Sequence, residues 1–371
     1  MSQPESQQVT LRWTDTDPAR PALDVLVRLI ALTDDAYEAG DLSAYWMQRE
    51  SDGTWSWTGE LPADLRTTYQ LCPVRDLPAR GRQPDEDRWL EILATGVPDP
   101  LASRQLPGGT VWGNPGPASV LALPAALPQP WLAARDDVAP GGLKRVEVGD
   151  SVVQVWEPGA AERLPVVISF DGGSWVRTDA ATTFANLVAD EAVPPFLGVL
   201  VESIHGSTER GPTRVRSLTH PDQFADFVLA ELLPYLRANY PVADDRVVLA
   251  GQSLGALAAA HVAAVAPGEI GWVIGQSAAL WWPGDDGGGL SGEAVIAAYD
   301  DPAVRAVRFY LEVGTEEGDE LRQANHRFRE VLAGNGNSIS FREFRGGHDH
   351  ACWQGGLADG IVAALRRTTR G

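Results

Sequence analysis

Arg246-Val247-Val248-Leu249-Ala250-Gly251-Gln252-Ser253-Leu254-Gly255-Ala256-Leu257-Ala258-Ala259-Ala260 is the stretch whose reading decides the fold. It opens as a short, uninterrupted apolar run, the signature of a strand buried on both faces. It closes as an alanine- and leucine-rich helix former, LGALAAAHVAAVA. At the junction stands Gly251-Gln252-Ser253-Leu254-Gly255, a G-x-S-x-G sequence. A serine on a tight strand-to-helix turn projects its hydroxyl above the sheet, and the helix N-terminus behind it favours developing negative charge. Flanking glycines are expected because side chains there would collide with neighbouring backbone. Ser253 is therefore the candidate nucleophile.

From about residue 142 strand-like runs alternate with helical patterns: SVVQVW from Ser151, PVVISF from Pro165, FLGVLVES from Phe196, WVIGQS from Trp272, RFYLEVG from Arg308 and SISFREF from Ser338. In DQFADFVLAELLPYLRANY, Phe224, Phe227, Val228, Leu232 and Leu236 recur at three- and four-residue spacing and make one buried stripe. The pattern predicts an α/β-hydrolase fold, a mostly parallel sheet with helices on both faces, over residues 136–371.

Upstream the pattern is all-β. VTLRWTD (9–15), DVLVRLIALTD (24–34), SAYWMQRE (43–50), TWSWTGEL (54–61) and TTYQLCPV (67–74) are short, aromatic-rich and separated by turns, which predicts a small β-sandwich. Residues 77–140 are rich in Pro, Gly and Ala, with one helix expected at Glu86–Ala94, and read as an ordered linker. The N-terminal domain is accordingly set at 1–135, linker included.

Composition narrows the function. A net charge of −20 argues against nucleic acid, whose phosphates need a basic face. An anionic substrate would have to be met by locally clustered arginines. No run approaches the ~20 apolar residues of a membrane span. The opening MSQPESQQ lacks the basic and apolar regions of a secretory signal, so a cytoplasmic location is expected. Cys72 and Cys352 suit neither a disulfide framework nor a zinc site. Nothing in the sequence sets an oligomeric state.

A serine nucleophile needs a base, and in a fold of this kind it follows the last strand. His348, in Gly346-Gly347-His348-Asp349 after SISFREF, is the choice; His350 is the rival, and His326 falls mid-helix. The orienting acid is expected after RFYLEVG, where Glu316, Glu317 and Asp319 compete and Glu317 is preferred. The oxyanion hole is expected from the amide of Leu254 and one from Asp171-Gly172-Gly173-Ser174-Trp175, at Gly173 or Gly172.

Several motifs together make the chain resemble the enterochelin esterases over nearly its whole length. Gly346-Gly347-His348-Asp349, Cys352-Trp353 and Gly355-Gly356-Leu357 resemble that family's GGHD-x-x-CW-x-GGL. Gln276-Ser277 with Trp281-Trp282-Pro283 is similar to its QS-x-x-x-WWP, and Asp171-Gly172 with Trp175 to its DG-x-x-W. Met47-Gln48-Arg49, Trp55-x-Trp57-Thr58 and Asp99-Pro100-Leu101 are similar to its N-terminal sandwich. The resemblance implies a serine hydrolase of a cyclic catecholate siderophore, bound as its ferric complex, with no cofactor of its own and iron present only as part of the substrate. It assigns Ser253, His348 and the Gly173 amide to catalysis and Arg210 to the anionic catecholates. At Arg210-Gly211-Pro212-Thr213-Arg214 the family's R-x-x-E-L glutamate is missing, Arg214 and Arg216 are extra cations, and Gln354 stands where arginine is common. Arg177, Arg210, Arg214 and Arg216 are expected on loops at the ligand edge of the sheet, and Trp175, Trp281 and Trp282 either stack on catechol rings or pack the rim. An acyltransferase, or an esterase acting on another acyl or sugar ester, shares the scaffold and stays an alternative.

Overall fold

The structure is a computed structural model that describes residues 5–30, 32–81, 83–110, 114–159, 162–204, 212–284 and 289–366. They form two compact units. The first holds the described residues up to Pro128 together with Gly314–Gly318 and Phe344–Cys352; the second holds the remainder.

Two antiparallel sheets build the first unit. β1 (Ser6–Trp13), β4 (Trp55–Pro62) and β3 (Gln48–Arg49) form one, in the order β1-β4-β3. β2 (Asp24–Leu29), β5 (Arg66–Val74), β7 (Ala118–Ala122) and β6 (Gln105–Leu106) form the other, in the order β2-β5-β7-β6. Val9, Leu11, Trp55 and Trp57 from one sheet share a core with Val25, Val27, Tyr69 and Leu71 from the other, the packing of a sandwich.

Three expectations need correction. The second strand stops at Leu29: the Thr33 hydroxyl accepts from Leu29 N–H and donates to Val27 C=O, turning the chain into helix α1 (Leu32–Glu38). The stretch 43–50 gives only a 3₁₀ turn at Ser43–Tyr45 and the two residues of β3. Beyond α2 (Glu86–Ala94), which lies where it was expected, the Pro/Gly-rich stretch is not only connection: β6 and β7 complete the four-stranded sheet, with Thr67↔Leu121 and Tyr69↔Ser119 in register. Strands this short, set between prolines, carry too little periodicity to be seen in sequence.

The second unit is an eight-stranded sheet, in the order β15-β14-β13-β12-β10-β11-β9-β8. Its strands are β8 (Leu143–Val148), β9 (Ser151–Trp156), β10 (Leu164–Ser169), β11 (Leu197–Ser203), β12 (Val242–Gln252), β13 (Ile270–Gln276), β14 (Arg308–Gly314) and β15 (Ile339–Phe344). β10 through β14 pair parallel, and β8 and β9 add an antiparallel edge. Phe309 N–H donates to Ser338 C=O and Thr315 N–H to Phe344 C=O, so β15 runs in the same sense as β14. Every residue of β10 is buried, which requires cover on both faces. The helices that follow are α3 (Gly172–Arg177), α4 (Ala180–Ala189), α5 (Pro212–Thr219), α6 (Pro221–Asp226), α7 (Leu233–Asn239), α8 (Leu254–Val265), α9 (Gly292–Ala298), α10 (Asp319–Asn335) and α11 (His350–Leu365). A π-helical stretch, Phe227–Leu232, joins α6 to α7 just before Pro234, whose ring and missing N–H disfavour a regular α-turn there. Among the described residues no helix is long and apolar enough to cross a membrane.

Within the first unit one carboxylate ties the 346–349 loop to β5. Asp349, 3% exposed, accepts from the Thr68 N–H, from the hydroxyls of Thr68 (3.0 Å) and Thr67 (3.3 Å), and from Ala351 N–H (2.8 Å). Burial pushes its carboxyl above the usual range, against the pull of those donors. Asp349→Ala strands buried donors and should cost about 2–5 kcal/mol in urea denaturation at pH 7. Because the folded state holds the proton more tightly, stability should fall as pH rises from about 4 through the folded value, and Asp349→Asn should flatten that slope.

Candidate active site

Ser253 lies between β12 and α8 with φ 54° and ψ −122°, a backbone conformation that ordinary L-residues avoid. Hydrogen bonds hold it there: Ser253 N–H donates to Gln276 C=O (3.0 Å), and Ser253 C=O accepts from Ala256 (3.1 Å), Leu257 (3.2 Å) and Ala279 (3.1 Å). A Cβ on Gly251 would meet the Gly255 carbonyl at 2.3 Å, so the first motif glycine is obligatory. The second is under less pressure than expected. A Cβ on Gly255 would meet nothing nearer than the Asp171 carboxylate, at 3.4 Å.

Strain gathers at neighbouring strand ends. Of the five described non-glycine residues at positive φ, three follow or end β10, β12 and β13: Asp171 (57°), Ser253 and Ser277 (48°). Asp171 leads into α3, and Gly172 must be glycine because a Cβ would strike the Leu200 and Val201 backbone at 2.6–2.7 Å. Gly173 is buried beside it, and Leu254 opens α8.

The residues expected to meet a ligand have different surroundings. Trp175 is 1% exposed and packs in the interior, so of its two readings the packing one holds. Arg214 forms a two-pronged ion pair with Asp171, Nε to Oδ1 at 2.5 Å and Nη2 to Oδ2 at 2.6 Å. Arg177 donates to Ser174 Oγ (3.0 Å), Arg216 is exposed on α5, and Arg210 lies outside the described residues. Trp281 is 44% exposed and meets the half-buried Trp282 edge-on, ring centroids 6.0 Å apart.

Sequence reasoning missed Glu312, an acid inside the apolar strand β14. It is 1% exposed, and burial pushes its carboxyl above the usual range, against Arg342 and its hydrogen-bond donors. Arg342 (2.6 Å), Gln276 Nε2 (2.7 Å) and Tyr310 OH (3.0 Å) all donate to it. Gln276 Nε2 also donates to Trp353 C=O (2.8 Å), Trp353 Nε1 to Ser277 Oγ (3.0 Å), and Ser277 N–H to Glu312 C=O (2.7 Å). A Cβ on Gly356 would sit 1.7 Å from the Glu312 carboxylate. The separate sequence motifs QS, CW and GGL thus converge on one buried acid. The only sequence signal was a charge in the middle of a buried strand.

In the first unit, His348 Nδ1 is 3.6 Å from Glu317 Oε1, with the His348 side chain 40% exposed and that of Glu317 1%. The competing acids are occupied elsewhere: Glu316 takes Arg345 (2.8 Å), and Asp319, 81% exposed, takes Arg322 (3.2 Å). His326, on α10, meets Glu343 at 3.1 Å, and His350 is the first residue of α11. The acid and base loops are laced together by Glu316 N–H to Gly346 C=O (3.0 Å). Gly346 is required by packing: a Cβ would meet Cys352 Sγ at 2.5 Å and Arg66 C=O at 2.7 Å.

Comparison with known proteins gives this geometry its context. Residues 146–364 match the family described as "Putative esterase", and residues 8–132 match "Enterochelin esterase, N-terminal". The iron(III) enterobactin esterase of Escherichia coli K12 is 30% identical, over 96% of this chain and 91% of its own length. The ferric enterobactin esterase of Salmonella typhimurium superposes with a TM-score of 0.81 at 28% identity, covering 96% of this chain and 93% of that one. The Shigella flexneri enterobactin esterase, solved in the presence of enterobactin, superposes with a TM-score of 0.80 at 27% identity, covering 97% and 93%. On this evidence the chain belongs to the enterochelin esterase family.

Proposed function

We propose that this protein is a serine esterase that hydrolyses the ester bonds of a cyclic catecholate siderophore, an enterobactin-like trilactone carried as its ferric complex, and so releases iron in the cytoplasm. The backbone of Ser253 carries the reaction class: a serine held at φ 54° between a buried strand and a helix N-terminus is a conformation kept for presenting a hydroxyl. Kinship supports the substrate class, since enterobactin esterases match the chain nearly end to end.

Ser253 Oγ attacks the ester carbonyl carbon while His348 takes its proton, and the carbonyl π electrons move onto oxygen. The Leu254 and Gly173 amides receive that oxyanion. Collapse expels the alcohol, protonated by His348. A water deprotonated by the same histidine then attacks the acyl-enzyme; collapse breaks the bond to Oγ, releasing the carboxylic acid, and His348 returns the proton to Ser253. Glu317 orients the imidazole and stabilises its charged form, a role suited to a buried carboxylate 3.6 Å from Nδ1. These steps need no resident cofactor; the iron is cargo. The exposed Trp281 and Arg216, with Arg210, are the groups proposed to meet the catecholates.

Incubation with ferric and iron-free trilactones, followed by mass spectrometry, should yield linear esters and monomeric catechoyl-serine fragments; intact trilactone would overturn the substrate assignment. Ser253→Ala should lower kcat by about 10⁶ with ligand binding kept; activity within tenfold of the parent would mean another nucleophile. Glu317→Gln should reduce kcat by about 10²–10⁴ and Asp319→Asn by less than about threefold; the reverse order in steady-state assays would move the acid to Asp319.

A further inference from the structure

The Arg214–Asp171 pair stands where a carboxylate is least welcome. Asp171 lies between β10 and α3, immediately before Gly172 and Gly173. Its Oδ2 lies 3.4 Å from the point where a Gly255 Cβ would be, against the first turn of α8 and next to Leu254. An Asp preceding a helix ordinarily accepts a hydrogen bond from that helix's first turn, yet Asp171 makes no such capping bond, and both its oxygens face Arg214. The two side chains are 14% and 21% exposed, so solvent screens their charges weakly.

A tetrahedral intermediate places a full negative charge between the Leu254 and Gly173 amides, and an uncompensated carboxylate within a turn of that point would oppose it. We propose that Arg214 is a positioning residue of the acyl-transfer site: through Asp171 it holds the oxyanion loop and cancels the negative charge that the loop would otherwise present to the oxyanion. This rests on the assignment of Ser253, Leu254 and Gly173 made above. It places Arg214 in the service of every substrate, charged or neutral, and separates it from Arg216 on the exposed part of α5.

The test uses p-nitrophenyl acetate, a neutral ester too small to need an arginine for binding. Arg214→Gln should lower kcat by about 10- to 100-fold while KM stays within about threefold. Arg214→Lys, which keeps the charge and loses the two-pronged contact, should stay within about fivefold of the parent. Adding Asp171→Asn to Arg214→Gln should restore kcat to within about fivefold, because no charge is then left to cancel. Melting temperatures accompany each variant, and if Arg214→Gln does not fold, a loss of more than about tenfold in Arg214→Lys overturns the proposal. An unchanged kcat in Arg214→Gln, a KM effect alone, or a double variant as slow as the single one would each overturn it too. Ser253→Ala is measured alongside: persistent turnover there would sink the nucleophile assignment, an outcome separate from any result with Arg214.

Discussion

The turn at Ser253 is the constraint to which the rest of the second unit answers. Holding a side-chain-bearing residue at φ 54° and ψ −122° costs on the order of 1–3 kcal/mol, and such a conformation persists only where its surroundings leave no alternative. Here the Gln276 carbonyl takes the serine's N–H, three amides converge on its carbonyl, and Gly251 lets the strand pass within touching distance of Gly255. Each of these partners must itself be fixed, which moves the problem one strand outward.

That second layer is polar, and it lies where an apolar core would be expected. Glu312 is buried within β14 and is satisfied by Arg342, Gln276 and Tyr310, while Gln276 is shared with the Trp353 carbonyl. A buried carboxylate with one donor missing would be destabilising, but with its donors in place it specifies a single arrangement. The residue whose carbonyl braces Ser253 is thus the residue whose side chain is locked by Glu312. Hydrogen bonds with fixed directions transmit position from α11 to the nucleophile turn more sharply than non-directional packing does. The Arg214–Asp171 pair does for the β10 turn what Glu312 does for the β13 turn, with a charge to neutralise as well.

Much of this could be read in one dimension. The α/β alternation, the strand-to-helix turn at Ser253, the helix at Glu86–Ala94 and the family resemblance all rest on local patterns: periodicity, glycine placement and motif order. The misreadings have two causes. β6 and β7 are short strands embedded among prolines; β7 is identified by pairing with β5, about fifty residues upstream, and β6 by pairing with β7. The extended reading of residues 32–34 failed because a single threonine hydroxyl, Thr33, redirects the backbone.

By itself the sequence determined the chemistry available at the site: a serine on a strand-to-helix turn, a histidine after the last strand, an acid loop between them, and glycines where backbones crowd. Tertiary structure decided what each of several equivalent groups meets. Four carboxylates in Thr315–Glu320 are alike on paper, and only folding puts Glu317 at 3.6 Å from His348 while Glu316 and Asp319 are taken by arginines. Arg214 and Arg216 sit two residues apart, yet one is bound to Asp171 and the other faces solvent. Trp175 looked like Trp281 in composition and proved to be core. Residue type sets what a side chain can do, but burial and charge partners depend on distant segments brought together by the fold, and no local pattern encodes those distances.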